Sequence, residues 1–306
     1  MNNAGFKHNI PIFWTADYLK TQSEGISIGN VDVANQKFTT SLVEADSFSH
    51  RFLFGISDSK VVVPARAPYG GAWGDPAEVV GALDLFIQST RSMFGCTEFE
   101  FVFPPSGFAD EVFEKQIKYL TDIGAKVVCT DLSQGIEIHK WDISSFSKGN
   151  RKKLRQFLEV GGKFRRAEIS ELPKIFEILR LNRENLGAKI SISLSQLQKS
   201  FDLMPDNYSA WIATIGDDFA AVAVTVRVKD DYEYVYMWGD NLDFRNFSPT
   251  AAICEGLIQE MKRVGVNFLD LGISSLRGEN NDNLIRFKSN LGAEATMKQT
   301  IGLSVK

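Results

Sequence analysis

The sequence predicts an α/β protein made of two halves of similar size, each a mixed sheet flanked by helices. Three observations predict this class. Strands and helices alternate along most of the chain, the second half adds an antiparallel meander to that pattern, and 306 residues are enough for two domains. The charged segment near 145–162 is the predicted boundary, which gives domains at 1–147 and 148–306.

Turn and cap signals separate the predicted elements of the first half. A hairpin turns at 57–59. The next helix begins near Asp75, which forms a capping box with Glu78, and ends at Gly95. The elements that follow are a strand at 98–103, a helix at 110–124 and a strand at 125–132. This order of strands and helices predicts an α/β layer.

The second half has stronger patterns. Its predicted order is a strand at 163–169, helices at 171–187 and 194–204, three strands divided by turns at 216–218 and 229–231, a helix, a strand at 266–273, a helix at 281–292 and a strand at 295–305. The helix after the third strand has clear ends, with Ser248 as N-cap, Pro249 in the first turn and Gly265 after the end. An antiparallel meander followed by a crossover helix is an unusual combination.

Composition excludes several classes of protein. The net charge is −4, so the chain as a whole does not attract nucleic acid or anionic lipid, and neither DNA nor a membrane is predicted as a partner. Cys96, Cys129 and Cys254 are widely spaced and lie near no histidine at metal-ligand spacing, so neither a disulfide framework nor a metal site is predicted. The sequence shows no signal peptide and no membrane span, which predicts a cytoplasmic protein.

Four segments carry a resemblance to a known family. They are WDISSFSKGNRKKLRQFLEVG, then YEYVYMWGD followed by SPTAAICEGLIQEMKRVG, then NFLDLGIS, and finally NLIRFKSNLGA. In this order and spacing, residues 145–303 resemble the GNAT acyltransferase fold, and within it the Fem-like branch, which includes aminoacyltransferases that build peptidoglycan cross-bridges. The first half resembles the degenerate first GNAT copy of that branch, chiefly through PARAPYGGAWGD. The resemblance therefore implies two tandem GNAT-like halves, the first degenerate.

The resemblance implies acyl transfer to an amine at a gap between two parted central strands, YEYVYMW and NFLDLGI. It implies no bound cofactor, because the acyl donor is a co-substrate. Conventional GNAT enzymes hold the CoA diphosphate with a glycine-rich turn before the central helix, but this chain has LDFRNFSPTAA there, with a proline in the first turn. The candidate donor-binding residues are Trp238, Ser248, Thr250 and Ala251.

Lys288 and Asp240 are the candidate catalytic residues. Lys288 lies where the family places a cation, and it could neutralise an oxyanion or bind phosphate. The alternative is a solvated lysine that complements the dipole at the end of a helix. Asp240 follows the tyrosine strand and could accept the proton of the amine, although a loop-forming aspartate is the simpler interpretation.

The candidate substrate-binding residues come from both halves. They are Tyr69, Gly70, Gly71, Tyr236, Asp270, Arg286 and Phe287. Adjacent glycines allow close backbone approach to an acceptor, though a plain turn explains them equally well. Asp270 should share a strand face with Phe268, either as a polar site residue or as a structural hydrogen-bond acceptor. Tyrosines on one strand face are more often core than cleft, and an isolated arginine is more often solvated.

A basic segment lies between the two halves. From Lys148 to Arg166 there are eight Lys and Arg residues and one acidic residue, Glu159. An amphipathic helix with Leu154, Phe157 and Leu158 turned inward would explain it. The alternative is an anion site for tRNA, for a nucleotide-linked substrate or for the phosphopantetheine of an acyl carrier.

These observations predict an N-acyltransferase. A thioester donor, acyl-CoA or an acyl carrier, would pass its acyl group by direct attack to an amine of a small-molecule, sugar or cell-envelope precursor. The partners are then a small-molecule donor and an amine acceptor, with acyl-carrier protein or aminoacyl-tRNA as macromolecular donors. The alternatives are a Fem-type transferase that uses aminoacyl-tRNA and acts on a peptidoglycan-like precursor, and a relative that binds such a precursor without turnover.

Overall fold

The computed structural model describes residues 10–22, 32–33, 36–45, 48–57, 59–64 and 66–305. The strands are β1 Asp32–Val33, β2 Gln36–Ala45, β3 Phe48–Ser57, β4 Lys60–Val63, β5 Glu98–Val102, β6 Lys126–Glu137, β7 Lys163–Arg166, β8 Tyr208–Ile215, β9 Asp218–Lys229, β10 Tyr232–Asp240, β11 Phe268–Ile273, β12 Ser275–Leu276, β13 Glu279–Asn280 and β14 Glu294–Ser304. The helices are α1 Ala16–Gln22, α2 Val79–Phe94, α3 Asp110–Asp122, α4 Lys148–Glu159, α5 Leu172–Asn185, α6 Leu194–Leu203, α7 Pro249–Val264 and α8 Asp282–Ser289. This mixed α/β architecture is the predicted fold class.

The chain divides into two compact units. Unit 1 contains the described residues within 1–132, 275–279 and 296–306, and unit 2 contains 133–274 and 280–295. The sequence predicted a single boundary at 147/148, with the C-terminal strand in the second domain. The difference has a simple cause, because β14 pairs with β5 of unit 1 from Thr300–Val102 to Ser304–Glu98. Alternating apolar residues predict a strand, but they do not say which sheet edge it will join.

Unit 1 is built on a sheet in the order β1-β2-β3-β4-β5-β14. β4 and β5 are parallel, and the other neighbours are antiparallel. The predicted hairpin is present, with Ser57 opposite Lys60. α2 ends at the left-handed Gly95 as predicted, but it begins at Val79 instead of near Asp75, because a turn precedes it in which the Glu78 N–H donates to the Asp75 carbonyl.

Unit 2 is built on a sheet in the order β6-β11-β10-β9-β8-β7, to which β6 contributes its residues from Ser133 onward. β8, β9 and β10 form the predicted meander, and α7 leads from it to β11, which lies parallel to β10. α7 lies against β7, β8, β9 and β10, and its apolar side packs into the core with Ile253, Leu257 and Met261. The order and types of the second-half elements therefore follow the prediction.

Helix α4, which carries most of the basic segment, packs against α7. Leu154 and Phe157 are buried as predicted, whereas Leu158 is 58% exposed. The prediction for Leu158 was wrong: its four-residue spacing from Leu154 fits an apolar stripe, but only Leu154 and Phe157 are covered by the core of unit 2. None of the helices in the described ranges is long and apolar enough to cross a membrane.

Candidate functional site

The central strands of unit 2 part beside the predicted site. β10 and β11 are paired over three residues, and the last pair joins Tyr234 to Asp270. Beyond it β10 follows β9 as far as Asp240, while β11 follows β6 as far as Ile273. The two strands thus separate from each other, while each stays paired with the strand on its other side. This is the gap that the resemblance implied between YEYVYMW and NFLDLGI.

Lys288 reaches the end of β11 from helix α8. Its side chain is buried, and Nζ donates hydrogen bonds to the carbonyl oxygens of Gly272, at 2.7 Å, and Ile273, at 2.8 Å. Gly272 has a φ of +78°, a left-handed conformation that suits glycine, and a β-bulge separates the β6 partners of Asp270 and Ile273. The solvated lysine considered from the sequence is therefore not the arrangement found.

The surroundings of Lys288 weaken its affinity for a proton. Burial lowers the pKa of Lys288 to about 8. The negative charge of Asp270 opposes this shift, and the positive charge of Arg183 adds to it. Lys288 therefore titrates within the range in which many enzymes work, unlike an exposed lysine.

Asp270 holds the start of the gap together. One carboxylate oxygen accepts from the Tyr232 hydroxyl at 2.8 Å, and the other accepts from the Gly272 N–H at 2.7 Å. The Tyr232 ring is stacked on Phe268, with 5.1 Å between centroids, so Asp270 and Phe268 share a face as predicted. A buried carboxylate held by these donors, and by the Ser133 hydroxyl at 3.5 Å, positions the backbone of β11, and its negative charge acts on the Lys288 ammonium.

Tyr234 and Tyr236 of β10 line the side of the sheet on which Asp270 lies. Tyr234 faces Gly272, since a Cβ built there would lie 3.5 Å from the tyrosine hydroxyl. Tyr236 falls at a β-bulge between Val235 and Met237, and its ring centroid lies 6.5 Å from that of Tyr234. Bulges are common beside active sites because they re-aim a side chain.

Trp238 and Phe287 form a second aromatic contact. Their rings meet edge to face with 5.5 Å between centroids, and both are half-buried against the core of unit 2. Because Phe287 precedes Lys288 on α8, this contact packs that helix onto β10. A candidate donor-binding residue and a candidate substrate-binding residue are thus direct neighbours.

The first turn of α7 carries the other donor-binding candidates. Ser248 occupies the N-cap position, but it has a left-handed φ of +47° and its side chain caps no N–H. Pro249 has no N–H, and the N–H of the buried Ala251 donates to the Ser248 carbonyl at 2.9 Å. Thr250 is half-buried between them. These contacts leave this turn few donors for a diphosphate, in line with the missing glycine-rich signature.

Asp240 lies at the end of β10 and is held by two side chains. Its carboxylate accepts from Asn182 Nδ2 at 2.6 Å and forms an ion pair with Arg245 at 3.1 Å. Asn182 also donates to the Asp240 carbonyl, so the aspartate joins α5 to β10. These bonds favour the structural interpretation of Asp240 over the role of a base.

The remaining candidates have contacts of their own. Arg286 is exposed, and its guanidinium donates to Asn283 on its own helix at 2.8 Å. Tyr69, Gly70 and Gly71 belong to unit 1 and are buried. The Gly71 carbonyl accepts from Trp14 Nε1, and a Cβ on Gly71 would lie 3.0 Å from the ring of Phe103. Packing within unit 1 therefore accounts for these two glycines.

Three features of the site were not among the sequence-based candidates. These are Arg183 on α5, the tyrosine hydroxyl of Tyr232, and the carbonyls of Gly272 and Ile273 that bind Lys288. The Asp-Leu-Gly sequence was the one available signal, because a glycine inside a strand often marks a bulge. Nothing local to Arg183 indicates that its charge acts on a lysine far along the chain.

Within the described part of the chain, no group of three or more His, Cys, Asp or Glu side chains could hold a metal ion.

No protein-family model and no curated protein matches this sequence. Solved structures do match. FemX has a TM-score of 0.69 at 12% identity, covering 98% of this chain and 94% of its own.

Two further structures extend the comparison. L-PGS from Bacillus licheniformis has a TM-score of 0.59 at 13% identity, covering 86% of this chain and 83% of its own. A tandem GNAT protein from the clavulanic acid biosynthesis pathway has a TM-score of 0.50 at 10% identity, covering 88% and 83%. At such identities the similarity concerns the fold, and it agrees with the resemblance seen in the sequence. This chain therefore has a fold like that of FemX and of the tandem GNAT protein.

Proposed function

We propose that this protein is an N-acyltransferase that moves an acyl group from a thioester, acyl-CoA or an acyl carrier, to an amine. The observation that carries the proposal is the buried ammonium of Lys288 beside the parted strands β10 and β11. An ammonium has three N–H donors, and the carbonyls of Gly272 and Ile273 take two of them. In this proposal the third would donate to a developing oxyanion.

The reaction would proceed by direct attack. The amine nitrogen forms a bond to the thioester carbonyl carbon, and the carbonyl oxygen becomes an oxyanion that Lys288 stabilises. The C–S bond then breaks, and the departing sulfur takes up the proton that the amine loses. Tyr236, at the bulge of β10, and the aromatic pair Trp238–Phe287 would form the wall that positions the donor.

The state of the cysteines supports attack without a covalent enzyme intermediate. Burial raises the pKa of Cys254 and of Cys96, which keeps both thiols protonated at neutral pH. A thiolate is the nucleophilic form of cysteine. Neither of these two buried thiols is therefore favoured as a nucleophile.

The acceptor is proposed as a small molecule, a sugar or a cell-envelope precursor in the cytoplasm. A second candidate function is transfer of an aminoacyl group from aminoacyl-tRNA to a peptidoglycan-like precursor. The fold similarity to FemX over almost the whole chain favours it. A third is binding of such a precursor without turnover.

The test combines binding and product formation. Thermal unfolding is measured with acetyl-CoA, longer acyl-CoAs, acylated carrier protein and aminoacyl-tRNA, because a ligand at 100 times its Kd stabilises a protein by about 2.7 kcal/mol. Mass spectrometry then detects acylated product from a panel of amines. A product from a thioester, lost in Lys288→Met, is the expected result. Product from aminoacyl-tRNA alone would favour the second candidate, and binding without product the third.

A further inference from the structure

Helix α4 presents a row of cations to solvent. Lys148, Lys152 and Arg155 are exposed and follow one another at four- and three-residue steps, which places them on one face of the helix. None of the three forms an ion pair with a carboxylate of the described residues. Arg165, further along the same basic segment, is by contrast paired with Glu171 at 2.6 Å. These three side chains are thus without a salt bridge to a described carboxylate in a protein of net charge −4, while Arg151 acts on Asp142 and Glu159 follows Arg155 by four residues.

The position of α4 connects this face to the proposed site. The helix packs against the segment Leu242–Phe247, which leads directly into the first turn of α7. At its N-terminus, the Ser147 N–H and Asn150 Nδ2 both donate to the Asn290 carbonyl, two residues after Lys288. α4 therefore contacts the segment that precedes α7 and the residue that follows α8, the helix of Lys288.

An exposed apolar side chain lies beside this face. Leu158, three residues after Arg155, is 58% exposed, although Leu154 and Phe157 of the same helix are buried. Phosphate backbones are bound by cations and do not require exposed leucine. Protein interfaces combine an apolar centre with charged residues at the rim. The mixed surface therefore suits an acidic protein with apolar side chains better than RNA.

We infer that α4 is the docking surface for an acidic carrier protein that presents the acyl group as a thioester on its phosphopantetheine arm. This inference rests on the proposed function and specifies its donor. In the transfer step the C–N bond forms, the C–S bond breaks, and the pantetheine thiol leaves with the proton of the amine. Charge complementarity gives the carrier a local attraction that the net charge of the whole protein does not supply.

The experiment uses the full-length protein in two charge-reversal variants. Lys152→Glu/Arg155→Glu changes the α4 face, and Lys126→Glu/Lys199→Glu makes the same change of charge at exposed lysines elsewhere. With one amine, kcat/KM is measured for an acyl group carried by a bacterial acyl-carrier protein and by a small N-acetylcysteamine thioester. The α4 variant should lose about tenfold or more with the carrier and stay within about twofold with the small thioester, and the control should resemble wild type.

Other outcomes separate the two proposals. Equal effects on both donors, or no effect on the carrier, would overturn the docking inference while the acyltransferase function stands. Absence of product from every donor would instead contradict the proposed function. Fluorescence anisotropy with labelled holo-carrier protein tests docking without turnover, and failure of the carrier to bind overturns it. Salt-sensitive binding of total tRNA that depends on Lys152 and Arg155, without carrier binding, would make this an RNA surface.

Discussion

The ammonium of Lys288 lies 2.7 Å from the carbonyl oxygen of Gly272, with its side chain removed from solvent. A backbone carbonyl is a fixed acceptor, and the left-handed conformation of Gly272 belongs to the bulge at which β11 leaves its regular pairing. The position of the charge therefore depends on the backbone at the gap. Such preorganisation is what makes a cation effective at an oxyanion, since little rearrangement is needed during the reaction.

Lys288→Met should reduce kcat by about 10² to 10³, the range found when one oxyanion donor is removed. Methionine keeps the apolar stem but donates no hydrogen bond. The measurement is steady-state kinetics with the best donor and amine, alongside thermal unfolding. Loss of stability in proportion to the loss of activity would point to a structural role. Lys199→Met, at an exposed lysine of α6, is the control and should leave both unchanged.

The buried charge also predicts how stability depends on pH. The pKa of Lys288 is lowered from 10.5 to about 8 in the folded protein. Between these values the unfolded chain binds a proton that the folded protein does not, so the free energy of unfolding rises with pH in this window. Between pH 7 and pH 10 the free energy of unfolding of wild type should rise by about 2 to 3 kcal/mol more than that of Lys288→Met. Urea denaturation of both proteins at the two pH values measures it; a constant difference would contradict the lowered pKa.

Asp270→Asn should move the alkaline limb of the pH–rate profile to lower pH. If the protonated form of Lys288 is the active one, kcat/KM falls as pH rises past about 8, after an initial increase as the amine loses its proton. The charge of Asp270 raises the pKa of Lys288, so its removal lowers that pKa further. The variant should also lose about 1 to 3 kcal/mol of stability, because its bonds to Tyr232 and Gly272 are weakened. If the alkaline limb of the variant lies at the same pH as that of wild type, the charge of Asp270 does not influence the pKa of Lys288.

Much of unit 2 could be predicted because its signals are local. The alternation in β9 and β10 and the cap and turn residues around α7 each act within a few positions. Lys288 and Asp270 were found through the resemblance, and the structure places both beside the gap. What could not be predicted was the set of partners, since backbone carbonyls carry no sequence signal and Arg183 acts from a distant helix.

The candidates in unit 1 illustrate a related limit of sequence analysis. The loop of Tyr69, Gly70 and Gly71 resembles a ligand-binding loop because adjacent glycines permit any group, from a ligand or from the protein, to approach the backbone closely. In the structure the approaching groups are protein, with Pro64 against Gly70 and Phe103 against Gly71. Composition alone cannot distinguish a loop that binds a ligand from one that packs against side chains of its own domain.

Asp240→Asn should leave the pH–rate profile unchanged. The carboxylate is occupied by Asn182 and Arg245, and it joins α5 to the end of β10. Substitution weakens the pair with Arg245, which is half-exposed, so we expect a loss of stability of about 1 kcal/mol or less. The measurement is kcat/KM from pH 6 to pH 10 for both proteins. If the variant loses the rise of kcat/KM on the acid side of the profile, Asp240 is the base.

Gly71→Ala tests the packing role of the loop in unit 1. Gly71 has a φ of +123°, which an L side chain rarely adopts, and its Cβ would lie 3.0 Å from Phe103 and 3.1 Å from both Gln116 and Phe113. Gln116 cannot withdraw freely, since it bonds both the N–H and the carbonyl of Ala72. We expect a loss of about 1 to 3 kcal/mol or more in the free energy of unfolding. Gly81→Ala is the matched control, because no atom lies within 4 Å of its Cβ position and alanine favours the helix by about 1 kcal/mol. If Gly71→Ala keeps its stability but raises KM for the amine, the loop is an acceptor site after all.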